Sequence, residues 1–197
     1  VYANWLGRAD LVEDTYKRML AVSSDDAIVL SLARSQGAAG RLDSAAANYR
    51  AYVGRQPQDE QALFEYIRVE RWRGNMPKSL DLLEEYRQRF GETANYRQQR
   101  VLALAMGGQP ALALQLSVPL LQEDPDAYDN HVARTLALSQ SGRPREALDE
   151  VRVLEGIRPE LTAASTEDIR RFVATRLRHS AMLGCDYYHE SDSVEMV

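Results

Sequence analysis

The sequence predicts an all-α chain, a solenoid of antiparallel helix pairs, and three observations carry that expectation. Glycines recur every 34 residues, at Gly40, Gly74, Gly108 and Gly142. Between them apolar residues follow helical rather than strand spacing, as in Leu80, Leu83, Tyr86 and Phe90, or Ala147, Leu148, Val151 and Leu154. The chain is 197 residues long and 45% hydrophobic, which suffices for a core and argues against general disorder.

The repeat extends beyond glycine. Five places after each one stands a small residue (Ala45, Ser79, Ala113, Ala147), and seventeen places after it Pro57, Gly91, Pro125 or Pro159. An out-of-phase forerunner begins at Gly7, with Val12 and Tyr16 where the later copies have Ala45 and Tyr49. The spacing is that of a helical hairpin. A first helix of about 12 to 14 residues makes three to four turns, glycine permits the reversal, and a second helix runs until proline stops it. Pro77, Pro110 and Pro144 fall at the starts of second helices. The small fifth residue lets two helices approach to about 8 to 10 Å. No pair covers its own apolar face, so pairs stack in one dimension.

The predicted organisation is a partial repeat over 1–25, four helix pairs over 26–59, 60–93, 94–127 and 128–161, a closing helix over 162–184, and a tail over 185–197. The closing helix rests on an N-cap at Ser165 with Asp168 three residues on, apolar Ile169, Phe172, Val173, Leu177 and Met182, and Gly184 as a stop. The tail "CDYYHESDSVEMV" loses helical spacing and reads as an extended segment or the opening strand of a following domain. "VYANWL" reads as the stump of a helix. The chain starts at Val1 and shows no leader, so both ends read as cut from a longer molecule.

Composition excludes several classes. Net charge is −5 and the pI near 5.3, without the positive balance that drives nucleic-acid or anionic-membrane binding. Acidic residues interrupt the basic set Arg97, Arg100, Arg170, Arg171, Arg176 and Arg178, so no nucleic-acid partner is expected. No apolar run reaches the roughly 20 residues of a membrane-spanning helix. The single Cys185 forms no intrachain disulfide and fits either cytoplasm or periplasm.

Chemistry is sparse. His131, His179 and His189 are the only histidines, and the cluster of His179, Cys185, Asp186 and His189 matches no common zinc spacing. Cys185 lacks an oriented base, and Ser165, Ser180 and Ser191 lack a nucleophile-elbow setting. "MGGQP" has no strand before it and no Lys-Ser/Thr after it, so it is a hairpin turn. Glu84 with Glu85, and Asp25 with Asp26, fit solvated faces and helix starts. No catalytic residue, metal or cofactor is expected.

The period and residue order resemble the tetratricopeptide repeat (TPR) family from Gly40 to about Leu161. The best copy, "AAGRLDSAAANYRAYVGRQPQD", carries the family's glycine, alanine, aromatic and proline places at Gly40, Ala45, Tyr49 and Pro57. The remaining signature places are Gly74, Gly108, Ala113, Pro125, Gly142, Ala147 and Pro159. Gly91 departs from the pattern, as do His131 and Arg134, which stand where the family has large apolar residues.

The resemblance implies a right-handed superhelix whose first helices line a concave, partner-binding face. Its groove places fall on Leu30, Arg34, Phe64, Arg68, Arg71, Trp72, Gln98, Leu102, Asp129 and Val132. Of these Arg34, Phe64, Arg68, Arg71, Trp72, Gln98 and Asp129 are the partner-binding candidates, residue kinds found at interaction hot spots. The family's clamp for chaperone C-termini needs Lys and Asn where this chain has Leu30, Arg34, Phe64 and Arg68, so that activity is excluded. An alanine-, arginine- and glutamine-rich array followed by "YYHESDSVEMV" further resembles the periplasmic part of bacterial exopolysaccharide exporters of the cellulose, poly-N-acetylglucosamine and Pel types. That resemblance implies a non-catalytic scaffold in the periplasm, ahead of an outer-membrane β-barrel. It would dock polysaccharide-modifying enzymes or synthase components. A cytoplasmic adaptor and a direct polysaccharide-binding module are the alternatives.

Overall fold

The computed structural model describes residues 9–157, 169–171 and 173–175. Among the described residues all regular structure is helical: α1 Ala9–Leu20, α2 Asp26–Ala38, α3 Leu42–Arg55, α4 Glu60–Trp72, α5 Met76–Phe90, α6 Ala94–Met106, α7 Pro110–Glu123, α8 Tyr128–Gln140 and α9 Pro144–Ile157. From α2 onward the helices alternate with a fixed interval. First helices start at residues 26, 60, 94 and 128 and second helices at 42, 76, 110 and 144, each series advancing by 34.

Local chemistry sets these boundaries. Asp25 and Asp59 accept hydrogen bonds from the Ala27 and Ala62 amides (2.8 and 2.9 Å), and Thr93 accepts from the Tyr96 amide at 3.1 Å. Each satisfies an amide that the opening turn of a helix leaves unpaired. Pro77 and Pro110 occupy first-turn positions, where a missing N–H costs nothing. The four periodic glycines adopt φ between 71° and 80°, a left-handed conformation that reverses the chain within each hairpin. Gly91 adopts φ 83°, which the fixed ring of the proline found elsewhere at this place cannot reach.

Two compact units divide the chain, Val1–Tyr96 and Arg97–Val197. In the first, α1 to α5 pack each against the next. Its core interleaves Ala45, Leu63, Ile67, Leu83 and Tyr86, all essentially inaccessible, with a set of ring contacts. Tyr49 stacks on Tyr66 at 6.3 Å and Tyr86 on Tyr96 at 6.2 Å, while Phe64 and Phe90 tilt against Tyr86. Each full burial of a side chain this large contributes about 2 to 3 kcal/mol.

In the second unit α8 packs on α7 and α9. Its core is smaller in grain, built on Ala103, Ala133, Ala137, Ala147, Leu138, Val151 and Leu154. Val173 is fully buried against Leu138 and Ala147, with Leu114, Leu148 and Ile169 around it, so the helical residues near 169–175 close an apolar face of α8 and α9. The other signals of the 162–184 helix, the 185–197 tail, Pro159 and the segment before residue 9 lie outside the described residues.

Candidate interaction groove

Helical periodicity assembles a concavity in the first unit. Arg34, Gly37 and Ala38 follow i, i+3, i+4 spacing on α2, and Glu65, Arg68, Val69 and Trp72 follow i, i+3, i+4, i+7 on α4. With Tyr49 of α3 they enclose a groove of about 440 Å³. Small residues on α2 and Val69 on α4 leave room between the helices. Charged and aromatic groups occupy its rim.

The rim is organised around Glu65. Arg34 donates to it twice, from Nε at 2.8 Å and Nη2 at 3.0 Å, in the two-pronged geometry that fixes a guanidinium. The Tyr49 hydroxyl donates to the same carboxylate at 3.1 Å, and Gln61 Nε2 at 3.2 Å. Burial, then the Glu65 charge, pushes the Tyr49 hydroxyl well above its ordinary range, so it stays a donor at neutral pH. The Arg34 side chain is 44% exposed, so the pair contributes about 0.5 to 1 kcal/mol to stability and serves more to hold a cation in place.

Arg68 is differently placed. Its guanidinium lies 4.9 Å from the centre of the Trp72 ring and has no carboxylate partner among the described residues. Trp72 itself is 49% exposed, the largest exposed apolar side chain in the described part of the chain. A cation stacked on an open indole presents one flat, amphipathic surface to a ligand.

The groove thus brings together three of the seven sequence candidates, Arg34, Arg68 and Trp72. Two others lie outside it. Phe64 is half-buried against Tyr86, and Arg71, one residue and about 100° around α4 from Trp72, is only 9% exposed. Leu30 and Leu102 are likewise core residues. Gln98 and Asp129 belong to the second unit, where Gln98 donates to Asn130 at 3.3 Å and Asp129 stands exposed. Sequence reasoning missed Glu65, which organises the rim. Its signal was an opposite charge 31 residues from Arg34, one repeat less one turn, which sets two residues abreast on neighbouring first helices.

The polar departures in the second unit form a satisfied cluster. His131 meets Glu150 through Nδ1 at 2.7 Å and the Pro125 carbonyl through Nε2 at 2.8 Å, and Arg134 Nε donates to the same Glu150 at 2.7 Å. All these ring and carboxylate positions are occupied by protein partners, which leaves His131 a structural role. Among the described residues no group of histidine, cysteine and carboxylates has metal-binding geometry, and no helix is long and apolar enough to cross a membrane.

No family model and no curated protein matches the sequence. Solved structures do match. A thermophilic TPR protein from Thermus thermophilus superposes with TM-score 0.63 at 23% identity, over 90% of this chain and 94% of that one. A tetratricopeptide repeat protein from Parabacteroides merdae gives TM-score 0.70 at 13% identity, over 92% and 75%. MamA gives 0.59 at 16%, over 80% and 91%. With the 34-residue helix interval and the glycine turns, these likenesses show that the chain has the fold of a TPR α-solenoid, a stack of antiparallel helix pairs.

Proposed function

We propose that the chain is a non-catalytic protein-interaction scaffold, with Arg34, Arg68 and Trp72 as the centre of its docking surface in the first unit. One observation carries this reading: an arginine without a carboxylate partner is stacked on a half-exposed tryptophan beside a groove of about 440 Å³. Aromatic and arginine side chains in such positions dominate binding energy at protein interfaces.

The finer reading is that this scaffold is the periplasmic TPR part of an exopolysaccharide exporter, docking polysaccharide-modifying enzymes or synthase components. It is supported by the residue composition of the array and by the segment "YYHESDSVEMV" after it. Pull-downs from envelope and cytoplasmic fractions, with the wild-type chain and an Arg68→Glu/Trp72→Ala variant, test both levels. Capture of envelope polysaccharide enzymes, lost in the variant, is the expected result. Capture of cytoplasmic proteins alone favours a cytoplasmic adaptor. Equal capture by the variant removes the groove from the account.

The exposed Trp72 also favours a second reading, direct polysaccharide binding, because an indole face with polar neighbours suits a sugar ring. Saturable binding of oligosaccharides, abolished by Trp72→Ala, would select it over a protein partner.

A further inference from the structure

The first unit holds a second groove, formed by the second helices and therefore distinct from the Trp72 groove. Arg50 and Gly54 lie along α3, and Lys78, Leu82 and Arg89 along α5, with Tyr66 of α4 between them. We propose that this groove binds an acidic segment of a protein partner, its carboxylates on Arg50 and Lys78 and an apolar side chain between them.

Charge is the first support. Three cations and one carboxylate, Glu85, line about 270 Å³ in a chain whose net charge is −5. Arg89 is already engaged, donating to the Pro57 carbonyl at 3.0 Å and paired with Glu85. Arg50 and Lys78 have no carboxylate partner among the described residues. Cations gathered without counter-charges repel one another, and an anionic partner relieves that repulsion.

Shape is the second. The floor between the cations is apolar, made by Val53 and Leu82, which are 6% and 3% exposed, and by the ring of Tyr66. Only a narrow apolar strip of this floor stays open, and the aliphatic residue of a peptide that alternates it with carboxylates would contact that strip.

Gly54 is the third. It is helical, and glycine is the poorest helix former after proline. A Cβ added there meets nothing within 4 Å, so no internal close approach explains the glycine. It keeps the groove wall low where a partner's backbone would run.

The test uses a fluorescein-labelled dodecapeptide of Asp-Glu pairs separated by single leucines, followed by anisotropy and by amide chemical shifts. Binding is expected to weaken more than tenfold in Arg50→Glu/Lys78→Glu and to weaken with rising salt. Gly54→Leu is expected to raise Tm while weakening binding, and so separates a filled groove from a damaged fold. Trp72→Ala is expected to leave binding unchanged, with shifts centred on Gly54 and Leu82. Absence of saturable binding overturns the proposal, as does binding that survives both groove variants. Shifts centred on Gly37 and Ala38 instead, or tighter binding of an oligouridylate than of the peptide, do the same.

Discussion

The same three repeat places are filled in opposite ways in the two units. In the α4–α5 pair they hold Leu63, Tyr66 and Leu82, which are 0%, 4% and 3% exposed. Two repeat lengths on, in the α8–α9 pair, they hold His131, Arg134 and Glu150, joined by contacts of 2.7 Å. The helices start at equivalent positions in both pairs. The fold therefore prescribes the space at these places and not its polarity, provided the change comes as a matched set. Elsewhere it prescribes size strictly. Ala45, Ser79, Ala113 and Ala147 share one repeat place and each is 0% exposed.

Breaking the matched set should have the largest effect. Glu150→Leu leaves His131 and Arg134 without their shared carboxylate, and a loss of about 3 kcal/mol is expected in urea unfolding. Replacing all three, with Leu, Tyr and Leu at 131, 134 and 150, should recover most of that loss. A triple variant no more stable than Glu150→Leu would mean that the two units are not interchangeable at these places. Overpacking comes next. Ala45→Leu and Ala147→Leu should each cost about 2 kcal/mol, because neither site has space to yield.

Titration should separate the units. Hydrogen bonds from Lys17 and Gln36 hold the Glu13 carboxyl below its ordinary value of 4.5, and Arg97 does the same for Glu123 in the other unit. A depressed carboxylate stabilises the fold above its unfolded pKa, so both units should lose stability as pH falls below about 4.5. The tyrosines with raised hydroxyls shift the other way and, among the described residues, lie in the first unit. Burial, then Glu70, pushes Tyr66 up to about 12, and Tyr49, Tyr52 and Tyr86 are also raised above 10. Their contribution is complete below pH 10 and is lost as pH rises through the folded values. Amide exchange above pH 10, corrected for intrinsic rates, should accelerate in α3–α5 before α8–α9. Simultaneous acceleration would contradict this contrast.

The smallest change concerns a missing cap. Asp25, Asp59 and Thr93 cap α2, α4 and α6, whereas Ala127 at the same repeat place gives α8 no side-chain cap. Ala127→Asp should stabilise the second unit by about 1 kcal/mol, read as a higher urea midpoint.

Much of this architecture was legible because periodicity is a property of the chain itself. The glycine interval set the hairpins, the prolines at 77, 110 and 144 marked second-helix starts, and the small fifth residues identified the close contacts. Proline does not always end a helix: Pro119 lies inside α7, where it removes one helix hydrogen bond on an exposed side. The groove was legible only in part. Repeat places assign a residue to a face within about one position, and one position is about 100° of rotation. That rotation separates exposed Trp72 from buried Arg71. The pairing of Arg34 with Glu65 depends on where two side chains end, which no single-helix pattern encodes. Arg50, Gly54 and Lys78 lie on second helices, away from the face that the repeat places assign to a partner.

The central claim is that the Arg68–Trp72 surface receives a protein partner. A photo-crosslinking amino acid placed at the exposed groove residue Ala38, and separately at the exposed Val153 of α9, tests it most directly in cells carrying the full-length protein, because Arg68 and Trp72 stay intact. A discrete protein adduct at 38, absent at 153 and lost when Trp72→Ala is added, is the expected result. No adduct at 38, or adducts of equal yield at both positions, would contradict it.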